Sequence, residues 1–99
     1  MPTRVGQGFP SPAPISMYWF YVLLSESTAR LYKGHTSDLD VRVRQHNLGK
    51  TRSTQSGMPW TLVYTETFDS REEAVKREKY FKTFEGGKEL KRLLADGAA

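Results

Sequence analysis

The chain has 99 residues, enough for one domain with one modest core. It contains no cysteine, which excludes disulfides, thiolate catalysis and cysteine-bound zinc, and no apolar run approaches the roughly 20 residues of a membrane span. A net charge of +4 and a pI near 9.5 favour a polyanionic partner such as nucleic acid. We expect a cytoplasmic protein because cysteine is absent, and no secretory segment is visible.

The first segment, residues 1–16, differs in composition from the rest. It holds four of the five prolines, two glycines and almost nothing to bury. We therefore expect a disordered Pro/Gly-rich N-terminal tail, with a translation start at Met17 as the alternative interpretation. A single domain is predicted over residues 17–95, and residues 96–99 are predicted to be a flexible C-terminal tail.

The domain begins with a predicted β-hairpin followed by a helix. Residues 17–25 form a continuous apolar and aromatic run of strand length, and residues 31–34 form a second short strand after a polar turn. In the helix that follows, Ser37 is the expected N-cap, acidic residues occupy the first turn, and Gly49 lies just past the end.

A polar loop, residues 50–59, separates this helix from the third predicted strand. Residues 60–68 alternate in polarity and are rich in β-forming residues, which is typical of a strand. Ser70 and Glu73 then have the spacing of a capping box, which predicts the start of a second helix.

Two glycines and a short apolar pattern complete the chain. Gly86 and Gly87 are expected to end the second helix, and residues 88–95 are predicted to form a short terminal helix. The order β-β-α-β-α-α predicts an α+β fold, a small antiparallel three-stranded sheet flanked by helices.

Two polar residues of the first helix lie beside its predicted buried stripe. Leu39 and Val43 are four residues apart and mark that stripe, while Arg42 and His46, also four apart, lie on its border. Either Arg42 extends its stem along apolar surface and His46 is a boundary residue, or the two belong to a site where the helix meets the sheet.

The second helix carries an acid on its inner face. Ala74, Val75 and Phe81 mark that face by their spacing, and Glu78 lies in its middle. An ionised carboxylate there is costly unless it is paired or bound to a metal ion. The two open interpretations are a buried salt bridge, with Arg42 as a candidate partner, and a metal ligand or general acid/base.

The hairpin supplies two tyrosines and a glycine. Tyr21 and Tyr32 lie in neighbouring strands, so both hydroxyls can face one place, although packing explains most strand tyrosines. Gly34 is expected at the junction of strand and helix, where it allows close approach of backbone or ligand. It also places residues 35–37 at a helix N-terminus, which favours a phosphate.

Taken together, these residues resemble the GIY-YIG nuclease superfamily, in particular its small stand-alone bacterial members, over residues 17–94. The first family tripeptide falls on residues 19–21 and keeps its tyrosine, and the second falls on residues 32–34 and keeps its tyrosine and glycine. The following helix places Arg42 at the position of the family's arginine. The later helical segment places the family's metal-binding glutamate at Glu78.

The resemblance implies a DNA endonuclease, with DNA repair as its setting. It implies one divalent cation, Mg²⁺ or alternatively Mn²⁺, held by Glu78 and coordinating the scissile phosphate. Arg42 would bind a non-bridging oxygen, since its guanidinium fork matches phosphate geometry. Tyr21 would orient the attacking water or a phosphate oxygen.

The general base has two candidates. Tyr32 resembles the tyrosine proposed to accept the proton of water in the family, but a phenol with a pKa of about 10 needs roughly 4 kcal/mol of help to act near pH 7. The metal ion, Arg42 and a cationic neighbour such as His35 or Lys33 are the expected sources of that help. His46 is the competing base or relay, because an unshifted imidazole titrates near neutrality.

Basic residues are expected to bind the DNA backbone without reading its sequence. The main candidates are Lys33, Lys50 and Arg52, and solubility is the alternative explanation for them. Further candidates of the same kind are Lys82, Lys88 and Arg92. We expect recognition of DNA structure or strandedness by a monomer or weak dimer.

One departure from the family pattern leaves other functions open. The family has a late asparagine after the glutamate, whereas Asn47 is the only asparagine here and leucines, Leu90 and Leu93, occupy the corresponding region. A nucleic-acid-binding module with weakened catalysis is therefore one alternative. An RNA-processing nuclease is another, because it would use the same chemistry.

Overall fold

Three antiparallel strands and three α-helices make up residues 17–97, the part of the chain that the computed structural model describes. In chain order they are β1 (Tyr18–Ser25), β2 (Leu31–Thr36), α1 (Leu39–Asn47), a 3₁₀ helix (Arg52–Gly57), β3 (Trp60–Phe68), α2 (Arg71–Phe81) and α3 (Phe84–Gly97). The predicted α+β fold and its β-β-α-β-α-α order are confirmed. The predicted tail, residues 1–16, lies outside the described residues.

The most apolar strand is the centre of the sheet. The strand order is β2-β1-β3, and β1 pairs with both neighbours in antiparallel fashion. Both faces of the sheet are covered, so the central residues of β1 are almost completely buried. These residues are Phe20, Tyr21, Val22 and Leu23. Strands β2 and β3 are the edges of the sheet.

Each face of the sheet has its own core cluster. On one face, Phe20 and Val22 pack with Phe81 of α2 and Leu90 of α3. On the other face, the buried members are Tyr21, Leu23 and Trp60, with Tyr32, Leu39 and Val43 packed against them. The α1 face thus combines apolar packing with two tyrosines. Among the described residues, no helix is long and apolar enough to cross a membrane.

The start of α1 differs from the sequence prediction. Asp38, rather than Ser37, is the N-cap, because its Oδ1 accepts the N–H of Val41 at 3.2 Å. Strand β2 continues to Thr36, so Gly34 lies inside the strand rather than at its junction with the helix. The predicted cap of α2 is confirmed, since the Ser70 side chain accepts the N–H of Glu73.

The prediction that Gly86 and Gly87 end the second helix is wrong. Helix α2 ends at Phe81 and both glycines lie in the first turns of α3. A Cβ at Gly86 would stand 1.9 Å from the backbone oxygen of Tyr80, so glycine is needed where α3 packs against the end of α2. Helix α3 also extends to Gly97, two residues beyond the predicted domain end.

Candidate active site

The two strands of the hairpin deliver the candidate residues to both faces of the sheet. Because successive side chains of a strand point to opposite faces, Tyr21 and Tyr32 lie with the α1 core cluster. His35 is paired opposite Phe20 and faces α2, where it meets Glu78. The candidate site therefore has one part on each face, and both parts approach the edge strand β2.

Part of the α1 face is a chain of buried hydrogen bonds. The Tyr21 hydroxyl lies 2.9 Å from Nε2 of His46, and Nδ1 of His46 lies 2.8 Å from Oγ1 of Thr54. The Thr54 hydroxyl in turn donates to the carbonyl of Thr51 at 3.2 Å. Tyr21, His46 and Thr54 are each at most 1% exposed, so these groups depend on one another for their hydrogen bonds.

The directions of these hydrogen bonds determine the tautomer of His46. The single hydroxyl proton of Thr54 is used on Thr51, so Nδ1 of His46 donates to Thr54 and Nε2 accepts from Tyr21. Burial and the nearby charge of Arg42 lower the pKa of His46, which keeps the ring neutral. Burial raises the pKa of Tyr21 to about 12, so Tyr21 remains a protonated donor.

Arg42 lies beside the hydroxyls of both tyrosines. Polar contact with Tyr21 is the main cause that raises the pKa of Arg42, and Tyr32 adds to it. Its Nη1 also donates to Oε1 of Gln45 at 3.1 Å. The Tyr32 ring lies 4.8 Å from the His46 ring, centroid to centroid, and Tyr32 is only half-buried. Arg42 and Tyr32 therefore form the accessible part of a cluster whose interior is Tyr21 and His46.

Gly34 makes room for this cluster. It is paired directly opposite Tyr21 in the sheet, and a Cβ on Gly34 would stand 2.7 Å from the Tyr21 hydroxyl oxygen. A Cβ atom essentially never lies that close to another heavy atom, so any larger residue at this position would displace the tyrosine. The group that closely approaches Gly34 is thus the side chain of Tyr21 in the neighbouring strand, rather than the backbone or ligand expected from the sequence.

On the α2 face, Glu78 pairs with His35 and Lys82 rather than with Arg42. Nδ1 of His35 lies 2.6 Å from Oε1, and Nζ of Lys82 lies 2.6 Å from Oε2. Burial alone would raise the pKa of Glu78, but the hydrogen bonds from His35 and Lys82 outweigh it and lower the pKa. The carboxylate, 18% exposed, is therefore ionised at neutral pH, and His35 donates to it.

A cleft of about 290 Å³ joins the two faces at the end of β2. Its lining includes His35 of β2, Arg42 and Gln45 of α1, and Arg71 at the start of α2. The cleft is thus lined by two guanidinium groups, and its imidazole is hydrogen-bonded to the ionised Glu78. Asp38 also lines the cleft, where its Oδ1 accepts the N–H of Val41. Because the two guanidinium groups outnumber this carboxylate, the cleft suits an anionic group such as a phosphate.

Comparison with known proteins identifies the family. Residues 17–89 match the family model of the GIY-YIG catalytic domain. The chain belongs to the GIY-YIG family. This is a family of nucleases, so the resemblance found in the sequence is confirmed. GIY-YIG nucleases generally use divalent metal ions and act on DNA.

Proteins of similar length are related to this chain in sequence. A UPF0213 protein of Staphylococcus haemolyticus is 34% identical over 80 residues, which cover 80% of this chain and 96% of the relative. A UPF0213 protein of Staphylococcus saprophyticus is 43% identical over 68 residues, covering 68% and 82%. The solution NMR structure of a UPF0213 protein from Bacillus halodurans is 31% identical, covers 78% of this chain and 84% of that one, and has a TM-score of 0.49.

The residues of this GIY-YIG domain fit a metal ion with few protein ligands. Within residues 17–97, no group of three His, Cys, Asp or Glu residues could form a metal cage. Glu78 is ionised, and an ionised carboxylate has about four acceptor positions, of which His35 and Lys82 use two. A hard cation such as Mg²⁺ retains several waters and is bound through one or two carboxylates, which matches this donor set.

The predicted DNA-binding residues occupy different places. Lys33 is on the α2 face, where its Nζ donates to the carbonyl of Phe81 at 2.9 Å and so caps the end of α2. Burial first, then repulsion from Lys82 and Lys91, lowers the pKa of Lys33. Lys50 and Arg52 are exposed around the start of the 3₁₀ helix. None of these three side chains lines the cleft.

The asparagine and the two leucines have structural roles. Asn47 binds the backbone of Trp60 in both directions, donating from Nδ2 to its oxygen at 3.0 Å and accepting from its nitrogen at 2.6 Å. Asn47 thus joins the end of α1 to the start of β3. Leu90 and Leu93 pack in or against the core on the α2 face. The region of the family's late asparagine is thus occupied by leucines that pack in or against the core of this GIY-YIG domain.

Two residues of the site were not predicted. Thr54 lies in a segment interpreted as a polar loop, but its side chain is buried and hydrogen-bonded to His46, whereas Ser53 and Gln55 beside it are exposed. Arg71 lies in the first turn of α2 and reaches the cleft because β2, α1 and α2 converge there. No spacing in the sequence relates either residue to the motif positions.

Proposed function

We propose that the protein is a divalent-metal-dependent endonuclease that hydrolyses DNA phosphodiester bonds and selects by structure or strandedness rather than by sequence. The main support is a single arrangement, in which Arg42 lines the same small cleft as the histidine that is hydrogen-bonded to the ionised Glu78. We further propose that it acts in the cytoplasm as a monomer or weak dimer, with Mg²⁺ as its ion and Mn²⁺ as the substitute.

The scissile phosphate binds in the cleft against Arg42 and Arg71. A guanidinium presents two parallel N–H donors, which match two phosphate oxygens. Arg42 is held in place by Gln45 and by the tyrosine hydroxyls beside it, so little side-chain freedom is lost when the phosphate binds. Arg71, which also lines the cleft, supplies a second positive charge that supports phosphate positioning in a chain without the late asparagine.

Tyr32 is the proposed general base, in preference to His46. His46 is completely buried and both of its ring nitrogens are hydrogen-bonded, so it positions the Tyr21 hydroxyl instead of meeting water. Tyr32 is half-buried and has Arg42 beside it, whereas Lys33 is turned to α2. Tyr32, as its phenolate, accepts a proton from the attacking water as the new phosphorus–oxygen bond forms and the bond to the leaving oxygen breaks, and the leaving oxygen takes a proton from solvent water. The Tyr21 hydroxyl uses its proton on His46, so its oxygen accepts a hydrogen bond from Arg42 and orients that guanidinium towards the phosphate.

Glu78 is the proposed metal ligand. A divalent cation bound there supplies positive charge to the phosphate and to the leaving oxygen. His35 fixes the orientation of the carboxylate through its hydrogen bond, so His35 is a positioning residue rather than a base. Lys82 is more than half exposed and covers the second oxygen, so it can move away when a cation binds.

A cleavage panel tests the proposal. The substrates are single-stranded, duplex and branched DNA, and an RNA of the same sequence, each with Mg²⁺, with Mn²⁺ and with chelator. Metal-dependent cleavage of DNA is expected, and cleavage should disappear in the Glu78→Ala variant but persist in Glu72→Ala, an exposed glutamate of the same helix. Absence of cleavage of every substrate, or cleavage that survives Glu78→Ala, would contradict the proposal. Cleavage of RNA alone would replace DNA as the substrate.

A binding module without turnover is the second candidate, and the leucines in place of the late asparagine favour it. Metal titration followed by NMR distinguishes the two functions. Mg²⁺ or Mn²⁺ should perturb resonances of Glu78 and His35 in a nuclease, since both lie at the proposed metal ligand. Unperturbed resonances together with tight DNA binding would favour the module.

A further inference from the structure

Helix α3 carries an aromatic and basic stripe on its solvent-exposed side. Phe84, Lys88 and Lys91 have i, i+4 and i+7 spacing, which places them on one face of the helix. Leu90 and Leu94 pack in or against the core, whereas the three stripe residues are exposed. The stripe is therefore presented to solvent along two turns of the helix.

Phe84 is the most exposed large apolar residue among those described, at 78%. Lone exposed apolar residues are common and need no explanation, but this ring is accompanied by charge. Nζ of Lys88 lies 5.3 Å from the ring centroid. Within residues 17–97, no carboxylate oxygen comes within 4 Å of the ammonium of Lys88 or Lys91. These two cations are thus available to an external anion.

The stripe adjoins the proposed metal ligand through Lys82. Lys82 precedes Phe84 by two residues and contacts Oε2 of Glu78. Burial lowers the pKa of Lys33, and the charges of Lys82 and Lys91 lower it further, so these three ammonium groups share one region of the surface. The basic stripe and the lysine that contacts Glu78 thus lie in one region of the surface.

We propose that this aromatic–basic surface, formed by Lys82, Phe84, Lys88 and Lys91, binds an unpaired nucleotide next to the cleavage site. The base stacks on the Phe84 ring, and the lysines bind the flanking phosphates. A duplex keeps its bases stacked on one another and offers no free face to the ring. Phe84 therefore gives the proposed endonuclease a preference for single-stranded or branched DNA. This inference rests on the proposed function, because it takes DNA as the substrate.

Binding in the presence of chelator tests the surface without any cleavage. Fluorescence anisotropy gives the affinity of wild type and variants for labelled oligo(dT) and for a blunt-ended duplex of equal charge. Phe84→Ala should weaken binding of the single strand by about 5-fold to 150-fold, the usual effect of losing one stacked base. Duplex binding should change less than about 2-fold. Phe84→Trp should retain the preference, because tryptophan also stacks.

Matched variants separate stacking from other causes. Val63→Ala removes another exposed apolar side chain, on β3, and should leave both affinities unchanged. Lys88→Met should weaken single-strand and duplex binding together and reduce the salt dependence. Three results would overturn the proposal. Phe84→Ala could weaken binding of both DNAs equally, or weaken binding of RNA only. It could also dissociate a dimer without changing the affinity for DNA. If Glu78→Ala loses cleavage but keeps the preference for single-stranded DNA, both proposals are supported. If the wild-type protein shows this preference but cleaves no substrate, only the proposed function is contradicted.

Discussion

Replacing Thr54 by valine removes one hydroxyl from the interior with almost no change in shape. In the wild-type protein, Oγ1 accepts the Nδ1–H of His46 at 2.8 Å and donates to the carbonyl of Thr51. His46 has no exposed surface, so its N–H cannot turn to water once the hydroxyl is gone. Leaving a buried donor without an acceptor costs about 1–3 kcal/mol, so we expect Thr54→Val to lower the free energy of unfolding by about 2 kcal/mol.

The same substitution should disturb the tautomer of His46. With no acceptor at Nδ1, the ring can shift its proton to Nε2, which then competes with the Tyr21 hydroxyl as the donor of their shared hydrogen bond. Urea unfolding gives the stability, and ¹⁵N NMR of the imidazole near pH 8 gives the tautomer. Thr54→Ser keeps the hydroxyl and is the control, with the tautomer unchanged and a loss of about 1 kcal/mol for one buried methyl group.

Two results would contradict this account of Thr54. The first is a Thr54→Val protein within about 0.5 kcal/mol of wild type, which is the range of unremarkable surface changes. The second is an Nδ1–H tautomer of His46 that remains dominant in Thr54→Val. Either result would mean that another group accepts the hydrogen bond of His46.

Three further perturbations follow from burial and close packing. Burial and the neighbouring Arg42 guanidinium lower the pKa of His46 in the folded protein, so below pH 6.5, the ordinary histidine pKa being about 6.5, the unfolded chain binds a proton at His46 that the folded protein does not. The free energy of unfolding should therefore fall as the pH drops from about 6.5 to 5. Urea unfolding at several pH values should show a smaller fall in His46→Gln. Gly34→Ala should displace the Tyr21 hydroxyl and cost about 1–3 kcal/mol, with loss of its NMR coupling to His46. Gly86→Ala should cost about 3 kcal/mol or more in thermal unfolding, because its Cβ would meet the backbone oxygen of Tyr80, which cannot rotate away. A wild-type stability independent of pH over this range, or alanine variants as stable as wild type, would show that these contacts are looser than described.

The fold was largely predictable because local patterns and tertiary packing agree. The apolar run of β1, the capping box at Ser70 and the position of Gly49 each predict an element that the structure contains. The cap of α1 was misplaced by one residue, because Ser37 and Asp38 are both good caps and only the hydrogen bond to Val41 distinguishes them. Gly86 was misinterpreted because the sequence alone does not distinguish a glycine needed for close packing from one that ends a helix.

The candidate site was predictable where spacing along one element carries the information. The i, i+4 pair of Arg42 and His46 and the inward position of Glu78 could be found in this way. Contacts between elements could not, and the partners of Glu78 are the clearest example. Its partner on β2, His35, is 43 residues away in sequence and was assigned to a different task. Thr54 was missed for the same reason, since its contact with His46 exists only in the folded chain.

The central claim is that Glu78 holds the cation that allows this domain to hydrolyse DNA. Single-turnover cleavage of a branched DNA with Mg²⁺ by Glu78→Gln tests it most directly, since glutamine keeps the shape of the side chain and removes the charge. The account predicts a rate at least about 100-fold below wild type, an unchanged circular dichroism spectrum, and a normal rate for Glu72→Gln. A Glu78→Gln protein that cleaves as fast as wild type at equal Mg²⁺ would contradict it.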